Sequence, residues 1–277
     1  MSSRGQGTRE KNLSFSRPVF VPVSHFSPEI EIPVNKETHL LTESAELNSL
    51  QEDESLSLVD EVYQKLLLRI IRCELPGGTE LKSTQLAREI GVSRTPVVQA
   101  LARLQADGIV IQQKNHRAVV REGAENWLVE IHELRLLLEP SAAAMAAGRI
   151  SEAEIQRLQE LAAQVKACQL QYEDGDQSPE HLQQWGAASR GFDYALHLSI
   201  ADHCGNLPIC EAIHKCWSYK RVSYSAAGET PEIMTRGLYD HLVLLDSLKQ
   251  QDAETAAAAM TMHLRNASRM RPDRLIV

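Results

Sequence analysis

At 277 residues, with 43% apolar but only 5% aromatic side chains, the chain is long enough for a substantial core, built of Leu, Ile, Val and Ala rather than rings. That composition favours helices over an aromatic-rich β-sandwich, and the net charge of −8 argues against nucleic acid as a partner of the chain as a whole. No apolar run approaches the roughly 18 residues of a bilayer span, and MSSRGQGTRE lacks the apolar stretch of a secretory leader, so a soluble, cytoplasmic protein with no membrane partner is expected. The five cysteines, Cys73, Cys168, Cys204, Cys210 and Cys216, are odd in number and form no CxxC pair, which predicts reduced thiols; the even spacing of the last three matches no standard metal pattern.

Residues 1–56 carry 5 basic and 9 acidic side chains and, apart from VFVPV at 19–23 as a candidate short strand, no sustained period; a disordered or poorly ordered tail is expected. Regularity begins near Ser57. In LVDEVYQKLLLRIIRCEL, apolar residues recur at Val59, Val62, Leu66, Ile70 and Leu75, with Leu67 and Ile71 widening the stripe, so an amphipathic helix is expected until PGG at 76–78. A second helix is predicted from Ser83 to Ile90, with Ser83 or Thr84 as its N-cap and Gly91 closing it. Ser93 caps a third, with Pro96 in the first turn, where a missing N–H costs nothing, and Asp107-Gly108 at its end. The β-branched runs IVIQQ (109–113) and AVVR (118–121) flank KNHR and predict a hairpin.

Three helices followed by a two-stranded wing make a winged helix-turn-helix over 57–123. Charge agrees: from Leu58 to Gly123 there are 10 Lys/Arg against 7 Asp/Glu, a local +3, leaving −11 for the rest of the chain. At the start of the third helix Arg94 can reach guanine O6 and N7 with its planar fork, while Ser93 and Thr95 can bond phosphate oxygens. Thr84 and Gln99 are expected to contact DNA as well, and His116 and Arg117 at the wing tip to enter the minor groove.

The stretch PGGTELKSTQLAREIGVSRTPVVQALARLQADGIV resembles the GntR family of bacterial transcription regulators, continuously over about residues 59–121. The resemblance implies operator binding by the helix that begins at Ser93. Two departures stand out: the family usually has Arg where this chain has Val98, and a Gly in the wing near Arg117. Val98 lies one turn beyond Arg94 on the same face, so the helix offers DNA one cation fewer, and its methyls can meet a thymine methyl instead.

Residues 124–277 read as helical throughout: a long helix bent or interrupted near Pro140, a second opened by Ser151 and Glu154 as a capping box, then helices at about 181–203, 207–226, 231–250 and 253–270, the last capped by Asp252. The fold class expected is therefore mainly α, an N-terminal winged helix-turn-helix followed by an antiparallel α-helical bundle over 124–277. In FDYALH, Asp193 and His197 stand at i and i+4 on one helical face. His241 and His263 lie at comparable distances on either side of the turn near Gln250–Gln251, so two antiparallel helices bring them to one height. One Asp and three His inside a bundle form a candidate divalent metal site.

This half is similar to the FCD ligand-binding domain of the FadR-type GntR subgroup, through Arg135, Leu138 and Glu139 on the first helix, through Asp193, His197 and Asn206, and through the late pair His241 and His263. The resemblance implies a homodimer, a bound ion for which zinc, nickel or manganese are all compatible, and a small carboxylate effector beside it. Arg135 and Asn206 are the expected effector contacts, with a bundle ion pair to Glu139 as the alternative role for Arg135. The function expected is a DNA-binding transcription regulator, a repressor by family analogy, on a pseudo-palindromic double-stranded operator, and not an enzyme. The rival is a helical metallohydrolase with a DNA-binding appendage; against it, no acidic base accompanies the four ligands at motif spacing, and Asp240-His241 reverses the HD order of phosphohydrolases.

Overall fold

The first helix starts where the sequence places it, fixed by a device the apolar pattern does not reveal, but it ends at Ile71 rather than at PGG, because Cys73 turns the chain at φ 56°. In the computed structural model, which describes residues 57–113, 117–224 and 230–270, α1 spans Leu58–Ile71 and opens on a reciprocal capping box. The Ser57 hydroxyl accepts from the Asp60 N–H, and the Asp60 carboxylate accepts from the Ser57 N–H, each at 3.2 Å. The expected tail over 1–56, its candidate strand and the wing-tip His116 lie outside the described residues.

Helices α2 (Ser83–Ile90) and α3 (Arg94–Ala106) follow, joined by Gly91 in the left-handed conformation at φ 82°. The expected cap of α2 is corrected. Lys82 occupies the N-cap position with no side-chain cap bond, which leaves Ser83 and Thr84 inside the first turn. Strands β1 (Val110–Gln113) and β2 (Arg117–Val120) pair antiparallel, Val110 opposite Val120 and Gln113 opposite Arg117. The chain before α2 adds a third edge: Leu81 N–H donates to the Ala118 carbonyl at 2.8 Å, and Val120 N–H to Thr79 at 3.0 Å. Val62, Leu66, Leu67, Val97, Leu104 and Ile109 close the core of this module, each contributing on the order of 1.5–3 kcal/mol by burial.

Six α-helices follow among the described residues: α4 (Trp127–Ala146), α5 (Glu152–Glu173), α6 (Pro179–His203), α7 (Leu207–Tyr224), α8 (Pro231–Lys249) and α9 (Ala253–Met270). Helix α4 runs through Pro140 without interruption. The capping box expected at α5 is half formed. Ser151 accepts from the Glu154 N–H, but the Glu154 carboxylate turns instead to Arg157 and to the Ser199 hydroxyl. Asp252 caps α9 as expected, accepting from Thr255 N–H at 3.0 Å, and Gln251 makes the turn at φ 58°. Trp185, Trp217, Phe192, Leu158, Leu196 and Ile200 are fully buried in the bundle core.

Helix α7 belongs to both cores. Trp217 is buried in the bundle, whereas Tyr219 packs into the core of the winged module, edge-on to Trp127 at 5.5 Å. Beside it Lys215 Nζ stands 3.1 Å from Asp107, the residue that ends α3, and Tyr63 of α1 donates to the same carboxylate at 2.6 Å. Among the described residues no helix is long and apolar enough to cross a membrane.

Candidate metal centre and nucleic-acid interface

Asp193 and His197 face the same way because they are one turn apart on α6; α8 brings His241 and α9 brings His263. All four side chains are buried, and one ligand atom from each lies within 4.8 Å of the other three. The Nε2 atoms of His197 and His241 each stand 3.2 Å from Nε2 of His263. Asp193 Oδ1 is 3.3 Å from His197, 3.2 Å from His241 and 3.8 Å from His263. Donors that share one ion at about 2.0–2.2 Å stand roughly 3–3.5 Å apart, so this set fits a zinc-like divalent cation with only small adjustment. Three imidazole edges and a carboxylate turned toward each other have no apolar rationale.

The electrostatics suit ligation. Burial pushes both His241 and His263 toward the neutral form, and the neighbouring imidazoles deepen the effect at His263. Burial acts to raise the Asp193 carboxyl, but Lys220 at 2.9 Å, with the adjacent imidazoles of His197 and His241, outweighs it and holds Asp193 ionised. A deprotonated acid and neutral imidazoles are the states a cation binds.

Around the four donors is a second layer. His197 Nδ1 lies 2.5 Å from Glu139 Oε2, so a proton on Nδ1 leaves Nε2 to face the cluster. The other Glu139 oxygen accepts from Arg135 Nε at 2.5 Å and from the Trp217 indole at 3.1 Å. Burial would raise Glu139, yet Arg135 and His197 hold it far below the usual carboxylate range. The Arg135 guanidinium and the Lys220 ammonium both stack on Trp217, 4.5 and 4.0 Å from its centroid.

A cavity of about 60 Å³ reaches Asp193, His241 and His263, enough for a few waters or one small acid group. Its other polar walls are Ser189, Arg190, Lys220, Arg236, Asp240 and Asn266. The two expected effector contacts stand elsewhere. Arg135 is buried in its ion pair with Glu139 and is not part of the cavity wall. Asn206 caps α7, its Oδ1 accepting from Ile209 N–H at 3.2 Å. Asp240, next to His241, is held by the Asn266 amide at 2.8 Å and faces Arg236 Nε at 3.1 Å as an ion pair without hydrogen-bond alignment. Lys220, Trp217 and Asn266 escaped the sequence reading; only their helical spacing from known members could have marked them.

On the other module, Ser93, Arg94, Thr95 and Gln99 are exposed along the first turns of α3, and Thr84 is exposed on α2. Ser93 sits at the N-cap but makes no cap bond, so its hydroxyl is not committed to the helix. Arg94 Nε donates to Ser83 Oγ at 3.0 Å, which ties the cation to the neighbouring helix. Val98 is 46% exposed beside Arg94 in a shallow groove bounded by α2, α3 and the wing. Arg117 opens the second wing strand, where Glu80 faces it at 3.6 Å and offsets part of its charge.

Comparison with known proteins gives two matches that divide the chain as these surfaces do. Residues 58–120 match the family of bacterial regulatory proteins described as the gntR family, and residues 130–266 match the FCD domain. The chain is 28% identical to the HTH-type transcriptional regulator McbR of Escherichia coli over 72% of this chain and 86% of that one. It is 25% identical to a probable D-xylose utilization operon transcriptional repressor of Paenarthrobacter nicotinovorans, over 75% and 86% of the two chains. Among solved structures, Escherichia coli McbR/YncC superposes with a TM-score of 0.52 at 23% identity, covering 79% of this chain and 99% of the other.

Proposed function

This chain belongs to the gntR family of DNA-binding transcription regulators, with an FCD domain behind its winged module, and from that premise we propose that it is a metal-containing repressor released from its operator by a small carboxylate. The observation that carries this reading is the convergence of Asp193, His197, His241 and His263 on one buried point beside a cavity lined by cations. Those four would hold the ion, which when bound offers open positions to a carboxylate oxygen. Lys220 and Asn266 line the approach, and Arg135 acts through Glu139 by fixing the orientation of His197. Asp240 is locked by Asn266 and faced by Arg236, which argues for a receptor rather than a hydrolase with a mobile base.

On the DNA side, Arg94 reads a base while Ser93, Thr95, Thr84, Gln99, Arg117 and His116 position the module on the backbone and grooves. Two copies related by a two-fold axis would read half-sites about one helical turn apart, which makes the operator pseudo-palindromic. The relative from Paenarthrobacter supports repression as the sense of control. The protein acts as a cytoplasmic homodimer in this reading. Release requires that the effector bind the DNA-incompetent arrangement more tightly, since only differential affinity shifts an equilibrium. Helix α7 is the route at hand, because it touches the buried centre through Trp217 and Lys220 and the end of α3 through Lys215.

Gel-shift titration of metal-loaded protein on operator DNA against a panel of small mono-, di- and hydroxycarboxylates tests the proposal. One class should dissolve the complex, and His241→Ala should retain DNA binding while losing that response. Indifference of the wild-type complex to the whole panel would sink the mechanism.

A further inference from the structure

The corner between α6 and α7 gathers a second set of metal-type donors, remote in chemistry from the buried four. Cys210 and His214 stand one turn apart on α7, and Asp202 near the end of α6 turns toward both. His214 Nε2 lies 2.7 Å from Asp202 Oδ1, Cys210 Sγ lies 3.5 Å from the same oxygen, and the three donors fall within 4.8 Å of each other. An exposed His–Asp pair alone contributes little. A thiol completing a sulfur, nitrogen and oxygen triangle is what a surface ion pair does not require.

The geometry points to a surface site for a thiophilic divalent cation of the zinc class, held by Asp202, Cys210 and His214 with water in the remaining position. Sulfur, imidazole and carboxylate are the donor types zinc accepts, and three protein ligands leave an open fourth place. Without a cation the Cys210 thiol keeps its proton and turns it toward Asp202 Oδ1 at 3.5 Å. Binding would expel that proton to solvent and form the metal–sulfur bond; no electron is transferred. The His214–Asp202 bond must open slightly to admit the ion, which both side chains can allow, being 42% and 53% exposed.

The corner is otherwise well fixed. Gly205 turns the chain at φ 71°, Asn206 caps α7, and the buried Cys204 sulfur accepts from the Asn206 N–H at 3.4 Å. An ion there would clamp the end of the helix that bears Asp193 and His197 to the start of the helix that bears Trp217 and Lys220. This inference does not depend on the proposed effector mechanism.

Cobalt(II) titration of the full chain separates the two centres, because only a thiolate ligand gives the near-ultraviolet sulfur-to-cobalt charge-transfer band. The wild type should develop that band, and Cys210→Ser should lose it while still taking up cobalt at the buried centre. His214→Ala should weaken the uptake that produces the band. A second readout needs no variant: zinc should slow alkylation of Cys210 by about tenfold or more, with exposed Cys73 as the unprotected control. No band in the wild type, a band that survives Cys210→Ser, or equal alkylation of both thiols with and without zinc would each overturn the site.

Discussion

The winged module and the helical bundle carry their chemistry in opposite ways. The proposed reading surface is exposed and local: Ser93, Arg94, Thr95 and Gln99 lie within seven consecutive residues on the outside of α3. The centre of the bundle is buried and assembled at long range, from α6, α8 and α9, with Glu139 of α4 behind it. An exposed site can therefore change without unfolding its module, whereas the bundle site shares its residues with the core. The expected consequence is that variants of the two regions separate cleanly, one class altering DNA affinity alone, the other altering ion, stability and response together.

The largest effect that tests the separation is His241→Ala. Removing one of four donors should abolish stoichiometric metal in the purified protein, a greater loss than the roughly 10–100-fold typical of second-layer changes. Elemental analysis gives the ion count, and operator binding by the same protein should persist. Loss of DNA affinity equal to that of an Arg94 variant would break the comparison, since the bundle centre would then be needed to form the reading surface.

Arg94→Ala is the reciprocal test. It should cost about 1–3 kcal/mol of operator binding and relax the base preference at one position in each half-site. Metal content should not change. Because Arg94 is tied to Ser83, Arg94→Lys, which lacks the planar fork, should restore little of the specificity. Smaller, on the metal side, is Glu139→Gln, expected to weaken metal binding by about 10–100-fold by loosening His197. It also removes the negative charge paired with buried Arg135, so a loss of thermal stability should accompany it even in the metal-loaded protein.

Val98→Arg sharpens the comparison from the surface side. The side chain is 46% exposed in the groove that Arg94 shares, so a cation there meets solvent and phosphate rather than core. Operator affinity should rise, and the slope of log affinity against log salt should steepen by about one. Identical slopes for the two proteins would show that this position does not face the DNA backbone.

What the sequence disclosed follows the same division. The helices of both halves, the left-handed Gly91 and the cap at Asp252 are local properties and appear where periodicity and turn chemistry place them, except that the first helix stops at Ile71, short of PGG. Ser83 and Thr84 were equally good caps by residue type, and Lys82 took the position because the Leu81 N–H is drawn into the wing sheet at Ala118. Ser151 and Glu154 have the spacing of a capping box, but Arg157 and Ser199 compete for the carboxylate, and Ser199 comes from another helix. Asp193 and His197 were readable as a pair from their spacing. That His197 leans on Glu139, and that Arg135 spends its guanidinium there rather than on the cavity, depends on how α4 packs, which no local pattern reports. The same holds for α7, whose Tyr219 and Trp217 serve two cores from one helix.

The smallest expected effect concerns protons. Three imidazoles in the bundle, His241, His263 and His132, are shifted toward neutrality, His132 down to about 4 by burial and then by the charges of Arg135 and Lys220. An unfolded chain takes up these protons near about pH 6.5, whereas the folded chain resists them until well below that. Protonation therefore favours the unfolded state as pH falls from about 6.5 toward 4, and the stability present above that window is lost within it. Asp193 and Glu139, held low, act only at more acidic pH and do not mask the effect. Urea midpoints of chelator-treated protein should decline across this range, and His132→Asn should flatten the decline slightly, because His241 and His263 still contribute. Metal loading should raise the midpoints and carry the decline to lower pH without moving its onset, since the ion keeps protons off Nε2 of folded His241 and His263, but not off His132, while the unfolded chain still takes them up near about pH 6.5. If loading instead left the pH profile unchanged, the buried imidazoles would not be ligands, and the bundle would be as independent of the ion as the winged module is.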